Sequence, residues 1–246
     1  MTNAVLLDNV AHKDLRVRTG YSAEFGDNIN LAPIFPTEFA FAQREYPIVF
    51  RKDPNGVLEA VVLLGLDKGE NLYLDKDGWN ARYVPAIQRR GPFLIGVHPK
   101  QDKSQEKHEL MVHVDLASPR ISRTEGAPVF LRHGGNSPFL ERAIRMLQMI
   151  AHGAEFAQPM FAAFMEAGLI DEMVAEVNIE DRVQYKLPDF MTINQERLAE
   201  LDGATLERMN RAGYLQLAML VVTSLGNVNW LIELKNRKIA AAQASA

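Results

Sequence analysis

His113 and Asp115, two residues apart in His113-Val114-Asp115, are the pair in this chain best spaced to do chemistry. On a β-strand, side chains two positions apart share a face, so an imidazole and a carboxylate can reach one ion. Such a pair plus a distant histidine is how non-haem oxygenases hold Fe(II). His133 is the nearest downstream candidate, but it follows much sooner than the third ligand of those enzymes usually does, and His152 falls on a helical stretch. The chain has six histidines, so a chance His-x-Asp is easily met. The expectation is therefore that His113, Asp115 and His133 hold no metal and that no cofactor is needed.

Other chemical patterns are weaker still. Asp75-Lys76-Asp77-Gly78 resembles a fragment of a calcium loop, but its glycine comes at the fourth place, not the sixth, and no glutamate stands at the twelfth. A hairpin turn explains it better. His133-Gly134-Gly135-Asn136-Ser137-Pro138 precedes a helix start, yet it lacks the Lys-Ser/Thr of a phosphate loop and the dinucleotide spacing, and reads as linker and cap. Ser137 and Ser224 lack a Gly-x-Ser-x-Gly setting. With no cysteine in the chain, thiolate nucleophiles, disulfides and Cys-ligated zinc are excluded. A net charge of −4 gives no electrostatic reason to expect nucleic acid or an anionic membrane as partner.

The segment richest in recognition chemistry runs from Asn71 to Phe93. It contains Trp79, Tyr83, Pro85, the adjacent Arg89 and Arg90, and Pro92. Aromatics, prolines and guanidinium groups this close together suit a groove for an extended or anionic ligand. Asn71, Trp79, Tyr83, Arg89, Arg90 and Phe93 are the candidate ligand-binding residues. The plainer alternative is that the aromatics fill a core while the arginines pair with local acids. On a regular strand one arginine would face outward and the other inward, where it would need a carboxylate or an anionic ligand.

The elements that must position these residues fall into two kinds. From about 28 to 132 short apolar runs alternate with turns such as Asp53-Pro54-Asn55-Gly56. Strands are expected at 46–50, 57–66 and 71–74, and at 93–97 and 110–116 on either side of a polar loop at 99–107. From 133 the pattern becomes helical: one helix opens near Pro138, a second covers 154–167, Asn194 caps another, and a long core helix spans about 214–238. Residues 175–187 alternate like a hairpin. The expected fold class is α+β, a β-rich N-terminal half (a meander, sandwich- or barrel-like) packed on a helical C-terminal half. The corresponding divisions are an arm at 1–27, a β-rich part at 28–132, a helical part at 133–239 and a disordered tail at 240–246.

Two features bear on location. The first residues lack the basic region and long apolar run of a secretory signal, so cytoplasmic residence is expected. Residues 212–232 are uncharged and long enough on paper to cross a bilayer. Gln216, Thr223, Ser224, Asn227 and Asn229 interrupt them, and a core helix fits that polarity better than a membrane span.

Several ordered motifs then stand together: Tyr46-Pro47-Ile48-Val49-Phe50, Leu64-Gly65-Leu66 with Asn71-Leu72-Tyr73, Gly78-Trp79, Tyr83-Val84-Pro85-Ala86, Arg89-Arg90 with Pro92-Phe93, and Asp115. With fainter echoes through Thr223-Ser224-Leu225, the chain resembles the SapC family of bacterial proteins over about 9–234, as one integrated domain. Where relatives carry an acidic pair before the late helix, this chain has Asn194-Gln195-Glu196, and His113 is not part of the pattern. The resemblance implies no known reaction. It implies association with surface-layer gene clusters and with TonB-dependent uptake systems. The leading expectation is a non-catalytic accessory or ligand/peptide-binding protein, with a protein, peptide or small anionic ligand as partner and a homo-oligomer compatible with everything above. The alternative is an enzyme, oxygenase-like or amino-acid-modifying, acting with a tryptophan-halogenase-type neighbour.

Overall fold

In the computed structural model, residues 3–98, 109–173, 176–179, 183–186 and 190–244 are described; the polar loop expected at 99–107 lies outside them. The chain opens with strands β1 (Ala4–Leu6), β2 (Arg16–Val17) and β3 (Leu31–Ile34), then helix α1 (Phe39–Ala42) and strands β4 (Ile48–Lys52) and β5 (Leu58–Leu63). Strands β6 (Leu74–Asp75) and β7 (Gly78–Trp79), helix α2 (Ala86–Arg89), and strands β8 (Phe93–His98), β9 (Glu109–Asp115), β10 (Ile121–Ser122) and β11 (Ala127–Pro128) follow. Helix α3 (Pro138–Glu166) leads to strands β12 (Ile170–Glu172), β13 (Glu176–Ile179), β14 (Val183–Lys186) and β15 (Met191–Ile193). Helices α4 (Gln195–Ala199), α5 (Gly203–Arg211), α6 (Tyr214–Ser224) and α7 (Asn227–Ala244) complete it. The class is α+β, strand-rich first and helical second.

Packing does not follow that sequence order. Contacts divide the chain into two compact units, one made of 1–27 and 86–151, the other of 28–85 and 152–246. The strand-rich and helical stretches, divided near 132, are each shared between the units. Residues 1–27, expected as an arm, supply β1, β2 and core side chains to the first unit.

In the first unit β9 lies between β1 and β8, with Leu6 and Leu94 both opposite His113. Leu15, Val17, Phe93, Val114, Val129, Leu140 and Leu147 form its core. Asp27 and Arg120 are both buried and pair at 2.7 Å, and the Arg120 guanidinium lies over the Phe25 ring at 4.6 Å. Desolvation of two charges at once demands such a pairing.

The second unit is built on a five-stranded sheet in the order β12-β15-β4-β5-β3. The β4–β5 hairpin closes as its sequence predicts: Asp53 Oδ1 accepts from the amides of Asn55 and Val57, both at 2.8 Å, and Gly56 adopts φ 81°. Ile48, Val49, Phe50 and Val61–Leu64 are fully or almost fully buried, and Phe50 packs edge-on against Phe161 of α3 at 5.0 Å. Strands β12 and β15 come from the helical half, so the sheet is not a simple meander. Asn194 caps α4 and Asp202 caps α5, each side chain accepting an amide three residues on at 2.9 Å.

Three helical expectations change. The two helices expected at about 138–148 and 154–167 are one, and within it Gly153 meets the β3 connection: a Cβ there would stand 2.5 Å from Phe35 Cβ, so only glycine lets this turn approach so closely. The single core helix at 214–238 is two, α6 and α7, broken at Leu225-Gly226, and only 22% of its apolar window is buried. By length and composition this stretch, at mean hydropathy 1.5, is long and apolar enough to cross a membrane. Two of its polar residues are tied to the chain near β4: Ser224 Oγ accepts from Ile48 N at 2.9 Å, and Asn227 Nδ2 donates to the carbonyls of Gln43 and Tyr46. Finally, α7 continues to Ala244 through the alanine-rich tail, whose residues favour helix.

Candidate functional site

The boundary between the units falls between Pro85 and Ala86, so the candidate segment is shared. Asn71, Trp79 and Tyr83 belong to the second unit; Arg89, Arg90 and Phe93 belong to the first.

In the first unit Phe93 is fully buried in the core, opposite Val114. Arg89 and Arg90 end a turn of helix and do not lie on a strand, yet they diverge as alternation would have them do. Arg89 is exposed; Arg90 is half-buried, its Nη1 donating to the Phe93 carbonyl while its Nε is buried without a hydrogen-bond partner. Burial pulls the Arg90 pKa below the usual arginine value, and the charge of Asp115 acts in the opposite direction. Asp115 itself accepts from the amides of Asn3, at 2.8 Å, and Ala117, at 3.0 Å. The inward arginine thus meets a carbonyl directly and its carboxylate only at a distance.

The metal candidates separate. Val114 points into the core, so His113 and Asp115 share the opposite face of β9, with the His113 ring against Gly96 and its Nδ1 3.3 Å from the Met111 carbonyl. His133 is exposed on the turn before α3. Among the described residues no three His, Cys, Asp or Glu come together to hold a metal ion.

In the second unit the aromatic residues form a belt of hydrogen bonds. The buried Tyr46 hydroxyl accepts from Trp79 Nε1 at 2.9 Å and donates to the Tyr83 carbonyl. The Tyr83 hydroxyl donates to Glu38 Oε1 at 2.6 Å, and the fully buried Glu38 also accepts from Phe35 N. Tyr73 donates to the Glu45 carbonyl, and its ring meets Tyr46 edge-on at 4.8 Å. Burial, reinforced by Tyr46 and Glu45, raises the Tyr73 pKa far above its ordinary value, so the phenol stays neutral and donating. Asn71, almost wholly buried, accepts from Tyr73 N and fixes the turn. Trp79, Tyr83 and Asn71 therefore hold the segment in place.

Between these buried aromatics, the same segment turns other residues outward. Leu72, Asn80 and Arg82 form one side of an open groove of about 360 Å³, with Arg44 and Glu45 at the end of the α1 turn. Its other wall is one face of α7, where Asn227, Trp230 and Leu234 recur at helical spacing. Trp230 is 41% exposed, with the Arg237 guanidinium over its ring at 5.0 Å. The Arg82 side chain is almost free of protein cover, and its Nε stands 4.0 Å from Glu45 Oε1. On the neighbouring face of α7, Lys235 is buried between Asp67 and Glu70, and Lys238 also reaches Glu70, which fixes the helix against the loop that carries Leu72. The groove offers two guanidinium groups, one carboxylate, an indole, two amides and two leucines: chemistry for holding a ligand.

Sequence reasoning found Arg82's neighbourhood but missed Arg44, Trp230 and Leu234. The signal was a tryptophan and a leucine four apart on a helix face beside the one that carries the buried Leu231 and Lys235.

The SapC family model matches residues 7–231. The chain belongs to the SapC family. No curated protein and no solved structure matches this SapC chain. The match covers the belt and almost all of the groove, leaving only Leu234 beyond its end.

Proposed function

We propose that this SapC protein is a non-catalytic binding protein, an accessory to a bacterial surface-layer or TonB-dependent uptake system, and that the groove of the second unit is its recognition surface. The observation that carries the reading is the pair of exposed arginines, Arg44 and Arg82, beside the half-exposed Trp230. Tryptophan and arginine are the side chains that most often dominate binding energy at interfaces. Behind them the hydrogen-bonded belt from Glu38 to Tyr83 supplies a rigid backing, which limits the ordering cost of binding. The protein acts in the cytoplasm and requires no cofactor.

The test is comparative capture from the native host. Wild-type protein, Trp230→Ala and Arg82→Glu are used as baits, with mass spectrometry of bound proteins and small molecules. The reading expects a partner held by wild type and lost by both variants while their melting temperatures stay unchanged. Identical partners on all three baits would remove the groove from consideration.

A further inference from the structure

We propose that the occupant of the groove is the free C-terminus of a peptide, its α-carboxylate between Arg44 and Arg82 and its last, apolar side chain against Trp230 and Leu234. This rests on the reading of the groove as the recognition surface and adds the chemistry of what enters it.

Charge is the first argument. The second unit carries 21 Asp and Glu against 14 Lys and Arg, so its general surface repels anions. Within that acidic unit the groove presents two exposed arginines. Arg44 has no ion-pair partner among the described residues, and Arg82 meets Glu45 only at the 4.0 Å limit. Arginine binds carboxylates with a planar fork of donors, so one unpaired fork and one loosely paired fork at one groove favour a carboxylate.

The apolar surface narrows the class. Leu72, Leu234 and the Trp230 indole lie in the same 360 Å³ as the guanidinium groups, so charge and apolar body must be close together in the ligand. In a C-terminal residue the carboxylate and the side chain leave the same carbon atom. A glutamate within a chain carries its charge at the end of its own side chain, away from any apolar neighbour.

A free amino acid has both groups too, but its α-ammonium would sit beside two guanidinium groups, with only the single Glu45 carboxylate, itself 4.0 Å from Arg82, to offset them. In a peptide that nitrogen is an uncharged amide, which Asn80 and Asn227 can hydrogen-bond. The groove is also open, so the rest of a chain can leave it.

The experiment uses the full-length protein and the probe acetyl-Ala-Ala-Leu as free acid and as C-terminal amide. Binding is measured by calorimetry on wild type and on each variant. The acid should bind about tenfold or more tighter than the amide, a difference of about 1.4 kcal/mol. Arg44→Gln and Arg82→Gln should each erase that preference, weakening the acid by at least as much as the amide. Free leucine should bind more weakly than the acid peptide, and inorganic phosphate should not displace it.

Equal binding of acid and amide, binding of neither, or displacement by phosphate would each overturn the proposal. If that happens while Trp230→Ala still abolishes capture of the native partner, the groove remains the recognition surface and only the C-terminal occupant is wrong. If capture is indifferent to Trp230 as well, both readings fall together.

Discussion

Lys235 brings an ammonium group between Asp67 and Glu70 with only 6% of the residue exposed. Burial alone would lower its pKa, but the hydrogen bonds it donates to both carboxylates outweigh that and raise it. Burial likewise opposes ionisation of Glu70, and bonds from Lys235 and Lys238 outweigh it and lower its pKa. Lys235→Met keeps the apolar stem but leaves Glu70 without its buried partner, and should cost about 3 kcal/mol in denaturant midpoints. The pH dependence has a defined sign. Glu70's contribution is complete above its unfolded pKa, near about 4.3, and is lost as the pH falls through its lower folded value. Lys235's is complete below the ordinary lysine pKa and lost only in strong alkali. The gap between wild type and Lys235→Met should therefore be flat from about pH 6 to 9 and close below about pH 4. In the first unit, Arg90→Ala removes a half-buried donor to the Phe93 carbonyl and should cost about 2 kcal/mol, read from the shift of the denaturation curve.

At the scale of the element, α3 shows how packing overrides local preference. Alanine favours a helix over glycine by about 1 kcal/mol, so Gly153→Ala would stabilise an isolated helix. Here the new methyl group would stand 2.5 Å from Phe35 Cβ and 2.8 Å from Thr37 Oγ1, so the substitution should lower the denaturant midpoint instead. The same contrast separates what the sequence made legible from what it hid. Turn chemistry is local, so the Asp53–Gly56 turn, the β6–β7 turn and the cap at Asn194 could be read directly. The close approach of α3 at Gly153 involves Phe35, more than a hundred residues earlier, and no local pattern encodes that contact. The groove was half legible for the same reason. Leu72, Asn80 and Arg82 lie within the recognised segment, but the wall they face comes from α7. The aromatics that drew attention, Trp79 and Tyr83, were noticed for their type, and their hydrogen bonds to Tyr46 and Glu38 turned out to account for them.

At the scale of the molecule, the stretch from Tyr214 to Ala244 is the feature most open to a mistaken reading. Its polar Ser224 and Asn227 are bonded to backbone at Ile48, Gln43 and Tyr46, and extracting the helices into lipid would break those bonds and the buried ions at Lys235. Protein expressed without detergent should accordingly fractionate with the cytosol; recovery only in carbonate-resistant membranes would overturn this. The arrangement of the two units also bears on how the protein is made. The first unit has all of its residues once position 151 has been synthesised, whereas 28–85 must wait for 152–246. Until α6 and α7 have left the ribosome, Tyr46, Ile48 and Phe50, all fully buried at the end, lack part of their cover. A ribosome stalled far enough beyond position 151 for that residue to have left the exit tunnel, but before α6 has emerged, should therefore carry a nascent chain with a protease-resistant first unit and an exposed apolar segment inside it. In the cell, that segment would be a natural binding site for a chaperone, and slow codons before α6 would lengthen its exposure.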